Sequence, residues 1–271
     1  CYNDCALRYA SENGHFKIVK ILLEKGVNVN ADHNYALKRA SINMHYKIVR
    51  ILLDRNADLH DEDEYILRRE SCYGNFKVVK LLLEKGANIH GLNDCALRYA
   101  SENGHYKIVR ILVENGADVR ADNDCAMRYA SEHGYCDVVR ILLEKGANLH
   151  ALNNYAIRYA SGNGRYKVVR ILLENGADVH AQNDSALRFS SERGHFKVVK
   201  ILLEKGADIY AEEEYAIAFA RSNGYYKVVK ILLENGTNIH DVNYKTLDTS
   251  SNRYLQLFKN RCKNFQKSEQ T

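Results

Sequence analysis

Histidine recurs in this sequence at a constant interval, and a recurring imidazole invites a metal. His60, His90, His150, His180 and His240 stand at one fixed step or multiples of it, and His15, His45, His105 and His195 form a second such series. Zinc gathers its ligands within roughly 2.1 Å of one point. Residues that recur once per repeating unit are instead carried a whole unit apart, so these histidines are expected to be structural. No metal and no cofactor is expected. The sequence also has no Gly-rich phosphate loop, no His-Glu-x-x-His and no nucleophile elbow. With no catalytic constellation to position, the chain is read as a non-enzyme.

A basic ladder is the second chemical feature. Arg8, Lys38, Arg68, Arg98, Arg128, Arg158 and Arg188 share one slot, and such a row could track a phosphate backbone. Carboxylates crowd it. Asp4, Glu64, Asp94, Asp124 and Asp184 stand four residues upstream, the favourable order on a helix, and Glu12, Glu102, Glu132 and Glu192 stand four downstream. The ladder is therefore expected to be neutralised locally. Nucleic-acid or polyanion binding through it is the alternative function, motivated by the net charge of +5. Lys20–Glu24 and its copies read as a solvated outer face. Of the seven cysteines, Cys5, Cys95 and Cys125 share a slot. Neighbouring copies would lie about 10 Å apart, beyond the roughly 7 Å a disulfide spans. Free thiols and an intracellular, reducing compartment are expected. Lys or Arg interrupts every apolar run well short of the roughly 18 residues of a membrane span, so no membrane partner is expected.

The elements that carry these rows follow from a glycine series. Gly14, Gly74, Gly104, Gly134, Gly164, Gly194 and Gly224 step by 30 or 60, with Met44 in the missing slot. A fixed period of this size marks a solenoid. Eight units fill residues 1–240, a degenerate ninth at 241–263 is read as the C-terminal cap, and 264–271 as a frayed tail. In the fourth unit Asp94 suits an N-cap, and Ala96, Leu97, Tyr99 and Ala100 give one apolar face. Gly104 stops the first helix. Tyr106, Val109, Leu112 and Val113 give the stripe of a second helix, which Gly116 ends. Neither face can be buried within one unit, so neighbours must stack. The first unit has the apolar residues of an interior one, and further repeats upstream of Cys1 are expected.

The run "ALRYASENGHYKIVRILVENGADVRA" resembles an ankyrin repeat, and the likeness recurs eight times over residues 3 to about 240. The Asn-, Lys-, Ile- and Tyr-rich texture without Pro or Trp resembles the ankyrin sets of giant DNA viruses of amoebae. The resemblance implies an all-α solenoid of helix–turn–helix units. This chain departs from it in its period, which is shorter than the family's usual unit. The missing residues belong to the projecting finger, so shortened fingers with little strand are expected. The usual Thr-Pro helix start is also replaced.

Such a resemblance implies a protein-binding scaffold that uses its concave face, here repeat positions 2–5, 12 and 13, with an unidentified protein partner, a host protein if the origin is viral. A monomer is expected, in the host cytoplasm in that case. The second and third repeats depart most from the rest. Arg39 and Arg69 stand where other units have Tyr or Phe, and Glu70 replaces a small residue. Ile42, Cys72 and Tyr73 replace Glu and Asn, while Met44 and Asn56 replace Gly. The adjoining finger is acidic, Asp61, Glu62, Asp63 and Glu64, and a second acidic finger spans Glu212, Glu213 and Glu214. The candidate contact residues are Tyr35, Arg39, Ile42, Asp61, Glu62, Asp63, Tyr65, Arg69, Cys72, Tyr73, Glu212 and Glu213. Drift, with Arg39 and Glu70 as a buried pair across the repeat interface, is the competing account.

Overall fold

The computed structural model of the chain describes residues 2–58 and 65–235, and for residues 2–4 and 213 the backbone alone. Sixteen α-helices and no strand occur among the described residues. The first helix of each repeat is α1 (Tyr2–Glu12), α3 (Ala31–Ile42), α5 (Tyr65–Tyr73), α7 (Gly91–Glu102), α9 (Ala121–His133), α11 (Ala151–Gly162), α13 (Ala181–Glu192) and α15 (Ala211–Ser222). The second helices are α2 (Phe16–Glu24), α4 (Tyr46–Asp54), α6 (Phe76–Glu84), α8 (Tyr106–Glu114), α10 (Cys136–Glu144), α12 (Tyr166–Glu174), α14 (Phe196–Glu204) and α16 (Tyr226–Glu234). The expected ninth repeat and tail lie outside the described residues, as do Asp61, Glu62, Asp63, His60 and His240.

One core runs the length of the array. Leu97 of α7 and Leu112 of α8 are fully buried, as are their copies Leu37 and Leu52, and Leu187 and Leu202. Each such leucine contributes roughly 1.5–3 kcal/mol by leaving water. The stripe of α8 differs from expectation at its start. Ile108 is 1% exposed, whereas Tyr106 is 42% exposed and lies on the outer side. The first helices carry small residues at the slots of Ala96, Ala100 and Ser101, all buried. With little side chain between them they pack more closely on one another than the second helices do. The array therefore bends with the first helices on its inner, concave side.

Glycine in the left-handed region ends most helices, as at Gly104 (φ 74°) and Gly116 (φ 103°). Met44 (φ 60°) and Asn56 (φ 61°) hold that conformation without glycine. The shortened finger has a distinct form. Three successive residues, Leu92, Asn93 and Asp94, are left-handed (φ 48°, 55° and 56°), and the same triple recurs at 32–34, 122–124, 152–154 and 182–184. Asn and Asp tolerate this region better than other side-chain-bearing residues, and they dominate these slots.

This geometry overturns the capping assignment. Asp94 is 6% exposed and does not bond the first turn of its own helix. Its Oδ1 accepts the backbone N–H of Asp118 at 3.0 Å, in the closing loop of the same repeat. Asp124 does the same for Asn148, and Asp184 for Asp208. His90 and His180 add their Nδ1 atoms to Asp94 and Asp184 at 3.1 and 3.2 Å. One set of recurring histidines thus belongs to this knot.

Candidate protein-binding face

The arginine ladder is committed to the fold. Arg128 Nε and Nη2 donate to the carbonyls of Asn123 and Asp122 at 2.9 and 3.0 Å, clamping the left-handed turn. Arg158 and Arg188 clamp the turns before them in the same way. Asp94, Asp124 and Asp184, expected to neutralise the arginines four residues on, are turned toward the loop. Arg8 and Arg98 pair instead with Asp32 (2.7 Å) and Asp122 (3.5 Å) of the following repeat. Their guanidinium planes also cover rings: Arg8 lies 4.1 Å over Tyr35, and Arg128 lies 5.3 Å over Tyr155. The downstream glutamates likewise look forward. Glu132 accepts the Tyr155 hydroxyl at 2.8 Å, and burial together with that carboxylate pushes the phenol above its ordinary range. Tyr155 stacks on Tyr159 with centroids 3.9 Å apart. The result on the inner row is a series of half-exposed aromatic rings held in place by arginines.

Adjacent repeats are stapled by position 15. His45 Nε2 bonds the Glu12 carbonyl at 3.0 Å, His105 that of Cys72 at 2.9 Å, Arg165 that of Glu132 at 3.0 Å and His195 that of Gly162 at 3.0 Å. Each of these side chains crosses the preceding repeat's left-handed position 14. A Cβ added to Gly14 would lie 2.7 Å from His45 Cε1, and one added to Gly74 equally close to His105. Glycine is thus needed twice over, for its φ and for the imidazole beside it.

The Tyr135 and Tyr225 rings cross Gly104 and Gly194 with no such bond among the described residues, and the boundary between the second and third repeats departs further. Met44 has a Cβ, and the residue that would cross it is Asn75, shorter than histidine. Asn75 turns to its own repeat and donates to Glu70 Oε2. Among the described residues no staple of this kind reaches the Ile42 carbonyl. Glu70, fully buried where other repeats have Ala or Ser, pairs with Arg69 at 2.6 Å. Burial pushes its carboxyl up, against the lowering by Asn75 and Arg69. The expected Arg39–Glu70 pair does not form: Arg39 faces Glu12 at 3.7 Å and covers Tyr35 at 4.9 Å. On the outer side Lys85 still holds Asp54 at 2.7 Å. The inner row therefore lacks at this boundary the position-15 bond seen at four others.

The candidate contact residues of the second and third repeats lie at that boundary. Tyr73 is 64% exposed, and Arg69 lies 4.7 Å over its ring. Ile42, Cys72, Tyr35 and Tyr65 are half-buried on the same two helices, with Lys38 over Tyr65 at 5.8 Å. Glu212 is exposed six repeats on and accepts Asn183 Nδ2 at 2.7 Å, so it belongs to a separate patch. The side chain of Glu213 and residues 61–63 lie outside the described residues. The reading from sequence missed Asn75. Its signal was present, since the one Met in the glycine slot is followed, in the next repeat, by the one Asn in the stapling slot.

Comparison with known proteins agrees with this architecture. The family model described as "Ankyrin repeats (3 copies)" matches residues 1–63, 67–153, 130–213 and 157–246. The chain is similar to the crystal structure of an ankyrin repeat domain from Acinetobacter baumannii AYE, with 26% identity and a TM-score of 0.56. That match covers 65% of this chain and 100% of the other. No curated protein matches the sequence. Ankyrin repeats generally mediate protein–protein interaction and are non-enzymatic scaffolds. No helix among the described residues is long and apolar enough to cross a membrane. With eight stacked helix–turn–helix units on the page and the family model matching nearly the whole length, the chain belongs to the ankyrin-repeat family.

Proposed function

We propose that this protein is a scaffold that binds another protein on its concave face, centred on the boundary between the second and third repeats. The observation that carries the reading is the 64% exposure of Tyr73 beside half-buried Ile42 and Cys72, at the boundary where Met44 and Asn75 replace the Gly–His pair found on either side. Exposed aromatics with arginines beside them are the residue types that dominate binding energy at protein interfaces. Glu212 and Glu213 in the eighth repeat are proposed as a second, acidic contact, and Asp61, Glu62 and Asp63 as further contact residues by their sequence alone. The texture of the chain supports a viral protein that meets a host protein in the cytoplasm and acts as a monomer. Affinity capture from a host lysate, followed by mass spectrometry, tests the reading. Ile42→Glu with Tyr73→Ala abolishes capture of the specific partner while circular dichroism stays unchanged. Undiminished capture by the folded double variant would remove this site.

A further inference from the structure

The outer row commits less of its positive charge: Lys85 pairs with Asp54, Arg55 bonds the Leu23 carbonyl and Arg170 the Tyr166 hydroxyl, while the position-17 lysines stay exposed. Residues 16–25 and their seven copies, the second helices with their C-terminal neighbour, contain 20 basic and 9 acidic side chains, a net of +11. The rest of the chain contains 19 basic and 25 acidic, a net of −6. Net charge is thus segregated by face. Position 17 is Lys in seven of the eight repeats and position 20 is Lys or Arg in all eight, every one of them exposed. Among the described residues, no hydrogen bond or ion pair holds a position-17 lysine. At position 20 the pairs with Glu are long and exposed, such as Lys20–Glu24 and Lys200–Glu204 at 3.9 Å, and such pairs are worth little. Position 16 is Phe or Tyr in seven repeats. Phe16 and Phe196 are 37% exposed, Tyr106 42% and Tyr226 52%. At 100° per residue, positions 16, 17, 20 and 24 share one ~100° sector of the helix. The outer row therefore repeats a ring flanked by two cations, with successive copies roughly 10 Å apart. The fifth repeat lacks both parts at once, having Cys136 and Asp137.

We infer that this outer face is a docking track for single-stranded nucleic acid, in addition to the protein-binding face. Phosphates would lie between the lysine columns, and bases would stack on the position-16 rings, a sequence-tolerant mode in which aromatic faces and backbone charge act together. The shape favours a strand over a bilayer. A flexible strand can follow a convex row, whereas a flat membrane meets it at few repeats. From the second repeat on, the exposed large apolar groups of this row are rings alone, with no exposed aliphatic group to insert into lipid.

Fluorescence anisotropy with a labelled poly-dT strand long enough to span the array tests the inference. Binding should fall with salt along a slope of about −0.7 per phosphate neutralised, or about −5 for one phosphate in each of the seven complete units. Lys17→Glu, Lys47→Glu and Lys77→Glu together should weaken it about tenfold or more, and Asp137→Lys should tighten it. Tyr106→Ala with Phe196→Ala should weaken the strand while leaving binding to phosphatidylserine vesicles unchanged. Ile42→Glu with Tyr73→Ala should leave strand affinity intact, so loss of the concave site and loss of the track are distinguishable. No binding at low salt overturns the inference. So does affinity indifferent to the lysine variant, or equal binding to vesicles, poly-glutamate and strand that ignores the rings.

Discussion

Met44 and Asn75 should be energetically coupled although they belong to different repeats, and a double-mutant cycle measures the coupling. In the equivalent places, a Cβ at Gly14 or Gly74 would stand 2.7 Å from the stapling imidazole. Asn75→His alone therefore drives an imidazole against the Met44 side chain, overpacking worth about 1–3 kcal/mol of destabilisation. Met44→Gly relieves a left-handed residue (φ 60°), a gain of about 1 kcal/mol. With glycine at 44, the introduced imidazole can bond the Ile42 carbonyl as His45 bonds Glu12, adding about 1 kcal/mol. The Asn75–Glu70 hydrogen bond is lost in both backgrounds and cancels in the cycle. The expected coupling is about 2–4 kcal/mol in favour of the double variant. Urea unfolding followed by circular dichroism gives the four stabilities, and hydrogen exchange in α3 and α5 places the change at the boundary. Additivity within about 0.5 kcal/mol would refute the claim that position 14 and the next position 15 compete for one space.

Two further outcomes are expected. Glu70 has a carboxyl raised above its ordinary 4.5 by burial, so the folded state holds its proton more tightly than the unfolded state and stability falls as pH rises through that shifted range. Glu70→Gln should therefore be more stable than the parent at neutral pH, with the difference shrinking as pH drops toward 4.5; a gap independent of pH would contradict the assignment. Thiol reagents should label exposed Cys5 rapidly, whereas buried Cys95 and Cys125 should react only on unfolding; in the folded state burial also pushes the Cys125 thiol up to about 11. Mass spectrometry of labelled peptides checks the order.

The period, the helix pairs and the structural use of the arginine row could be read from the sequence because each depends on local spacing. The partners of the polar side chains could not. Asp94 has the right type and place for an N-cap, but the left-handed backbone at 92–94 turns its carboxylate to Asp118. No propensity rule anticipates three such residues in a row. Arg39 and Glu70 were paired on charge alone, whereas Arg69 on the same helix reaches the carboxylate first. Tyr106 and Ile108 exchange places because the ring slot is the one that neighbouring repeats leave uncovered. The contact residues of the second and third repeats were visible as departures from the repeat. The missing bond beside them was not, since it is a contact between successive repeats, which sequence alone does not draw.

The crossing of position 15 over the preceding position 14 also constrains how the array can be edited. Excising residues 31–60 would bring Gly14 against Asn75, a vacancy without a staple. Excising 61–90 would bring Met44 against His105, a collision. Removing both units together sets Gly14 against His105, the same match that Gly74 and His105 make now. Elsewhere in the array a glycine meets whichever ring or arginine follows, so single units can be copied or deleted with their seams intact. The second and third repeats are instead one inheritable cassette, to be gained or lost as a pair.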